Sequence, residues 1–328
     1  MSTASSCGFT PGALFCAALF CAGLPGCGGL RTCPTVSDAA LGRLPARLSE
    51  SGLYADISTR TLSPDLLAFE PRFPLWSDGA TKTRWLSLPP GSSIDASDVD
   101  SWRFPVGTRA WKEFAVDGVP VETRMIEQTG AGEWSAVAYR WDGDDAFAVR
   151  EGTVDANGSS HDIPSAEQCQ ACHAGRASFI LGFSAVQLAG ADGVNTESLA
   201  ASGSLAPEPG PISAPAADEQ ALGYLHANCS HCHNPDRGVG VGGDRCYDPD
   251  PDLDWTLPAA VLGSVDEAPA LQKGREDLAP GHSDRSEVIA RMSARNTSMM
   301  WPSMPPLGSE EVDEEGVAML RAWIDGLQ

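Results

Sequence analysis

The sequence predicts an α+β protein with an antiparallel β-rich N-terminal domain followed by a small all-α domain. Apolar and polar residues alternate through WSAVAYRW at 134–141, which is the two-residue period of a strand. A stretch rich in Pro, Ala and Ser at 201–217 comes later and is typical of a linker. Beyond it, apolar residues recur at helical spacing, as at Val317, Leu320 and Ile324.

Short apolar and aromatic runs, separated by Gly, Pro and Asp, fill the chain from 83 to 154. They are TRWLSLPPG, SWRFPVGTRAWKEFAV, VPVETRMIEQ, EWSAVAYRWDGDD and AFAVREGTV. Their lengths and spacing favour an antiparallel sheet or a small sandwich. Helices are predicted for SFILGFSAVQLAG, DEQALGYLHANC, SDRSEVIARMSAR and a C-terminal segment that begins near Ser309.

The first 33 residues differ from the rest of the chain. They contain FTPGALFCAALFCAGLPGCGG, an apolar stretch placed where an export signal lies, although no Lys or Arg precedes Arg31. Within it, LPGC resembles a bacterial lipobox, in which the cysteine carries a lipid. A lipid anchor at Cys27 and a plain cleaved signal are both open. Either one predicts a periplasmic protein.

Length and charge restrict the partners. The chain has 328 residues, with 44 Asp and Glu against 22 Lys and Arg, and a formal net charge of −22. This charge argues against nucleic acid and favours a basic partner. The length allows two domains with cores of their own. We expect a signal at 1–33, a β-rich domain at 34–200, a linker at 201–217 and a helical domain at 218–328.

The sequence contains the motif C-x-x-C-H twice. The motif residues are Cys169, Cys172 and His173 in the first copy and Cys229, Cys232 and His233 in the second. Two cysteines three positions apart on a helical turn face the same side, so both can reach the vinyl groups on one edge of a haem. The histidine that follows can then bind the iron axially. The motifs therefore predict two covalently bound c-type haems, with His173 and His233 as iron ligands.

Zinc and thiol redox chemistry are the alternatives at these cysteines. A single zinc site built from the four motif cysteines would need a loop from 172 to 229, far longer than the roughly 15–20 residues of a compact zinc ribbon. It would also leave the two histidines without a role. His231, inside the second motif, is expected at the surface. Cys33 and Cys246 are the two cysteines that remain when the four motif cysteines and those of the first 27 residues are set aside. They are either paired in an oxidising compartment or free.

The C-terminal part, residues 216–328, resembles class I cytochromes c. It has a helix before C-x-x-C-H, a long loop, the methionine-proline segment SMPPLG and a C-terminal helix with an aromatic residue. By this resemblance Met304 is the second axial ligand of the haem at His233, with Met299 and Met300 as competitors. Such His/Met coordination favours electron transfer.

The chain from about 48 to 328 also resembles a group of bacterial dihaem c-type cytochromes with a β-rich segment before two C-x-x-C-H sites. The matching stretches are LSESGLYAD, PLWSDGATKTRW, FPVGTRAWKEF, IPSAEQCQACH, YLHANCSHCH and MPPLGSEEVDEEGVAMLRAWI. A fainter similarity to β-sheet c-type cytochromes that act on nitrogen oxides or hydroxylamine implies a lysine near the haem, which here would be Lys112. For the first haem, the sixth-ligand candidates are His161, Met125 and Lys112, or the position is open.

The sequence therefore predicts a periplasmic dihaem c-type cytochrome. It would pass electrons between redox partners such as a dehydrogenase or a terminal reductase, as a carrier rather than a catalyst. The alternative is a haem enzyme, a peroxidase or a nitrogen-oxide oxidoreductase, that works at an open first haem.

Overall fold

An antiparallel six-stranded sheet is the main element of the protein. The structure, a computed structural model, describes residues 44–173, 175–176, 178–210, 212, 218–234, 277–295 and 303–327. The sheet order is β3-β4-β5-β6-β7-β8, so each strand pairs with its neighbour in sequence. The strands are β1 Tyr54–Asp56, β2 Thr61–Leu62, β3 Leu67–Ala68, β4 Thr81–Ser87, β5 Arg109–Val116, β6 Val119–Gly130, β7 Glu133–Asp142 and β8 Asp145–Ala148. Strands β1 and β2 form a separate hairpin.

The helices described are short. They are α1 Ala166–His173, α2 Ala185–Leu188, α3 Thr196–Ala201, α4 Glu219–Asn228, α5 Glu287–Met292 and α6 Glu314–Gly326. Single turns of 3-10 helix lie at Leu48–Glu50, Ala156–Gly158 and Ser283–Arg285. Within the described ranges, none of the helices has the length and apolar character needed to span a membrane.

Both faces of the sheet are buried. Side chains alternate along each strand, so neighbouring residues enter different cores. Trp85, Trp111 and Met125 pack on one face against the N-terminal residues of the described chain. Leu86 and Ile126 face the other side, in a core that also contains Trp102, Phe183 and Cys169 of α1. Burial of each large apolar side chain contributes about 1.5–3 kcal/mol, so this second face holds α1 firmly on the sheet.

The predicted fold class is wrong in its second half. The described residues are mostly β-sheet with few short helices, and no small all-α domain is evident among them. Helices α4, α5 and α6 do share a core, but Phe73 and Val186 from the preceding part of the chain belong to it. A Cβ atom on Gly223 of α4 would overlap the Phe73 ring. The apolar stripes of these helices therefore cover the β-rich part.

The helix predicted for SFILGFSAVQLAG is mostly absent. Only Ala185–Leu188 is helical within it. Phe179 and Gly182 have φ values of 57° and 84°, in the left-handed region that a right-handed helix cannot contain. The domain boundaries predicted at 201–217 stay a prediction. All described residues belong to a single compact unit.

The segment that follows Phe73 ties the C-terminal part to the sheet. The Asp78 carboxylate accepts hydrogen bonds from Ser309 Oγ at 3.0 Å, Glu310 N at 2.9 Å and Glu311 N at 3.0 Å. The indole N–H of Trp76 donates to the Glu311 carbonyl at 3.2 Å. These bonds hold the chain that enters α6 beside the strand that begins at Thr81.

Replacing Asp78 with Ala should lower the free energy of unfolding by about 1–3 kcal/mol, because two backbone N–H groups lose a charged acceptor. Asp78→Asn is the control. It keeps an acceptor oxygen and tolerates the left-handed φ of 51° at this position. Urea unfolding measures the difference. Equal stability of the two variants would contradict the role assigned to this carboxylate.

Candidate functional site

Helix α1 presents the first motif to the second face of the sheet. Cys169 and Cys172 are free thiols, and Cys169 is buried in the core beneath the sheet. Burial raises the pKa of the Cys169 thiol to about 11 and also raises that of Cys172. Redox-active C-x-x-C sites have the opposite property, a lowered thiol pKa. The first motif thus fits protonated, structurally held thiols.

His173, the last residue of α1, is oriented by one backbone carbonyl. Its Nδ1–H donates to the Phe179 carbonyl at 2.6 Å, since a carbonyl oxygen can only accept. The Phe179 residue adopts a left-handed φ of 57°, which costs a bulky residue about 1–2 kcal/mol. Burial lowers the pKa of His173 to about 4, so the ring is neutral. Its Nε2 lone pair is therefore available to a metal, as in oriented metal-binding histidines.

A cavity that is partly open to solvent adjoins His173. Its walls combine apolar side chains with positive charges, among them Phe69, Ile126, Ile180, Arg84 and Lys112. A haem is a flat apolar ring with two carboxylates on one edge. The apolar walls, the Cys169 thiol, the neutral imidazole and the nearby cations fit that chemistry.

The second motif directly follows α4. Cys229 caps the helix through its N–H bond to the Leu225 carbonyl at 2.8 Å, and His233 N donates to the Cys229 carbonyl at 2.9 Å. These bonds continue the helical turn through the motif. Burial raises the pKa of Cys229 and of Cys232 to about 12. Both motifs therefore hold their thiols in the same protonated form.

The two motifs meet in space. Arg176, three residues after His173, donates through Nη2 to Ser230 Oγ inside the second motif at 2.6 Å. Asn234 Nδ2 donates to the Gly175 carbonyl at 3.1 Å. A Cβ atom on Gly175 would overlap the His231 carbonyl oxygen, so the two backbones are in direct contact there. The fold joins two segments that lie far apart in the sequence.

A buried carboxylate stabilises this contact. Asp100 accepts hydrogen bonds from Arg176 Nη1 at 2.5 Å and Ser184 Oγ at 2.9 Å, and His226 Nε2 lies 3.1 Å from it. Ser230 Oγ lies 3.4 Å from His226 Nδ1, which would suggest a Ser-His-Asp triad. However, Ser230 Oγ is 2.6 Å from the His226 carbonyl and donates there. The serine is therefore a structural residue.

Met304 lies beside α5. Its backbone N–H donates to the Arg291 carbonyl at 3.1 Å, and its carbonyl accepts from Arg295 Nη1 at 3.1 Å. Its role as an axial ligand stays a prediction. Cys27, Cys33, Cys246, Met299 and Met300 lie outside the described residues.

Of the three residues proposed for the first haem's open side, Lys112 and Met125 both line the cavity at His173. The Met125 side chain packs in the core on the other face of the sheet, with Tyr139 Oη 3.8 Å from its sulfur. His161 binds the Glu122 carboxylate at 2.7 Å. The expectation of a surface position for His231 is wrong, because this residue is only 8% exposed.

A row of three basic side chains on the sheet beneath α1 was not predicted from the sequence. Arg84, Lys112 and Arg124 lie directly opposite one another on β4, β5 and β6. Burial, together with Arg84 and Arg124, holds the pKa of Lys112 well below its usual value. Arg124 binds Glu122 through two bonds of 2.6 and 2.9 Å. Basic residues in TKTRW, AWKEF and VETRM, on strands otherwise rich in apolar residues, were the available signal.

The contact between the motifs predicts the behaviour of Gly175→Ala. The added methyl group overlaps the His231 carbonyl, so the variant should lose about 1–3 kcal/mol of unfolding free energy. Gly326→Ala is the control, because a Cβ atom there meets nothing within 4 Å. Thermal unfolding of both variants measures the effect. A loss no greater than that of Gly326→Ala would contradict direct backbone contact.

The buried Glu122 carboxylate makes the stability of the fold depend on pH in the acid range. Burial alone would raise the pKa of Glu122, but Arg124 and the His161 hydrogen bond hold it below the ordinary value of 4.5. Since the folded-state pKa is lowered, this stabilisation is complete above pH 4.5 and is lost as the pH falls through the lowered value.

We expect Glu122→Gln to cost about 3–5 kcal/mol near pH 7, because it leaves the Arg124 guanidinium without a carboxylate. The variant should also lose the Glu122 part of the acid-induced destabilisation. Denaturant unfolding between pH 7 and pH 3 tests both points. The same pH dependence in variant and wild type would show that Glu122 is not the group responsible.

Among the described residues, no three His, Cys, Asp or Glu side chains are grouped so as to hold a metal ion, so the four motif cysteines do not form a zinc-type cluster there. Comparison of the chain with protein-family models, with curated proteins and with solved structures finds no match.

Proposed function

We propose that this protein is a periplasmic electron carrier with two covalently bound c-type haems, one at each C-x-x-C-H motif. The single observation that carries the proposal is the contact between the motifs through Gly175 and His231. A c-type haem supplies a one-electron iron couple when bound. Two such groups attached to touching segments would exchange electrons without a motion of the protein.

The chain's residues support this role in three ways. The Cys169 thiol is buried and the Cys229 thiol is partly buried, and both have raised pKa values, which argues against thiol redox chemistry at the motifs. The Phe179 carbonyl holds His173 in the tautomer that frees Nε2 for a metal. Asp100, through Arg176 and His226, fixes the segments on which the two motifs lie.

The proposed partners are basic redox proteins of the periplasm, such as a dehydrogenase or a terminal reductase. A net charge of −22 favours association with a positively charged surface and steers such a partner from a distance. Export through residues 1–33 remains part of the proposal, with a lipid anchor at Cys27 and a plain cleaved signal as its two forms.

A second candidate function is a haem enzyme at the first motif. The cavity beside His173 favours it, because it lies between the motif and the charged row. A peroxidase or a nitrogen-oxide oxidoreductase would need an open iron position on that side. A carrier would need both iron positions filled.

Redox titration and spin state distinguish these functions. Coulometry should give two electrons per chain, and one electron in a variant in which Cys229 and Cys232 are both replaced by Ala. The matched variant at Cys169 and Cys172 should also give one electron. Low-spin iron at both motifs, measured by electron paramagnetic resonance, supports the carrier. High-spin iron at the first motif, with turnover of peroxide or a nitrogen oxide, would support the enzyme instead.

Met304→Ala should lower one of the two midpoint potentials by on the order of 0.1 V, because a thioether ligand stabilises the reduced iron. Met319→Leu is the control, since this residue packs against the core of α4, α5 and α6. Spectroelectrochemical titration measures both potentials. Unchanged potentials in Met304→Ala would remove Met304 as a ligand.

A further inference from the structure

Three cations face one another across the centre of the sheet. Arg84 on β4 is opposite Lys112 on β5, and Lys112 is opposite Arg124 on β6. Directly opposed side chains on one face of an antiparallel pair lie about 4.5–5.5 Å apart at Cβ, and like charges there are destabilising. Arg84 is buried, and Lys112 and Arg124 are partly buried, on the face of the sheet that α1 covers. The charged form of Lys112 needs negative charge close by in such an arrangement.

The protein supplies only part of that negative charge. Glu122 binds Arg124, but it is shared with His161. Within the described part of the chain, no carboxylate lies within ion-pair distance of Arg84 or Lys112; Glu70 acts on Arg84, and Glu122 on Lys112, only from farther away. Arg84 is only 4% exposed, and its recorded hydrogen bond is a long one of 3.5 Å to the Lys82 carbonyl. The Lys112 ammonium lies 5.8 Å from the centre of the Phe114 ring.

Both side chains line the same open space. Two cavities, both partly open to solvent, share Arg84, Lys112, Ile180 and Leu181 in their walls. Among the described residues, four cationic side chains and one carboxylate, Asp100, line them together; the cations are Arg84, Lys112, Arg124 and Arg176. This excess of positive charge occurs in a chain with a net charge of −22. Low-dielectric walls strengthen the field of such charges on a ligand inside.

We propose that Arg84 and Lys112 form an anion-binding site in these cavities, and that the site takes a carboxylate or a small oxyanion. A guanidinium and an ammonium are the side chains that bind these groups, the first with two parallel hydrogen bonds and the second as a point charge. The anion has two sources, a carboxylate of a bound haem or a free ion. The site does not depend on the proposed electron-carrier function; only the haem source does.

A ligand site and a purely structural role predict opposite changes in stability when one of these cations is replaced by an apolar side chain. Buried charges without a partner destabilise the folded state, so a protein gains stability when an apolar group of similar size replaces them. We therefore expect Lys112→Met to raise the melting temperature of the protein in an anion-free buffer when no haem carboxylate occupies the site. If Lys112 instead stabilised the fold, its replacement would lower the melting temperature.

Sulfate is a suitable probe, because it does not change oxidation state and binds iron weakly. Calorimetric titration of the purified full-length protein should give one site per chain. Arg84→Met and Lys112→Met should each weaken it at least tenfold, and Lys112→Arg should retain it. Lys82→Met is the matched control: Lys82 lies on the same face of β4, but its ammonium donates to the Leu75 carbonyl and it does not line either cavity.

If a haem carboxylate occupies the site, the wild type will not bind sulfate. The infrared carboxylate band that changes with haem oxidation state should then shift in Arg84→Met and Lys112→Met and stay unchanged in Lys82→Met. Either pattern supports the site and identifies the anion's source. No sulfate binding and no band shift in any variant would overturn the proposal. A protein without haem that still binds sulfate through Arg84 and Lys112 would keep the site and refute the electron-carrier function alone.

Discussion

The buried carboxylate of Asp100 is the interaction on which the arrangement of the site depends. It binds Arg176, which follows the first motif, and His226, which precedes the second. Arg176 in turn reaches Ser230 between the cysteines of the second motif. The segment that contains Asp100 packs in the core on the second face of the sheet, so one charged group links this face to both motif segments and to helix α4. Together with the hydrogen bond from Asn234 to the Gly175 carbonyl, it holds the two backbones close at Gly175.

A second constraint acts against stability. The sheet provides a dry, apolar surface for α1, yet it places Arg84, Lys112 and Arg124 in one row on that surface. Of these three, only Arg124 has a carboxylate, Glu122, within ion-pair distance among the described residues. The fold therefore maintains positive charge near His173 while the protein as a whole is strongly acidic. This contrast is consistent with both proposals, a basic partner at the surface and an anion inside.

The motifs and the strands could be predicted from the sequence because their signals are local. The alternation of apolar and polar residues at 134–141 lies within β7. The spacing of the two cysteines and the histidine in each motif is given directly by the sequence. The separate all-α domain could not be excluded, because an apolar stripe on a helix does not show which surface it covers, and here Phe73 lies in that core. The contact of Gly175 with His231, the Asp100 bonds and the cation row depend on register and tertiary packing, which no local pattern encodes.

The number of covalent haems per chain tests the account most directly. The protein would be produced in a periplasm with a c-type haem maturation system, and its intact mass compared with the pyridine haemochrome spectrum. The account predicts two haems per chain, with one lost for each motif whose cysteines are replaced. A protein that carries no haem and binds one zinc ion would contradict it.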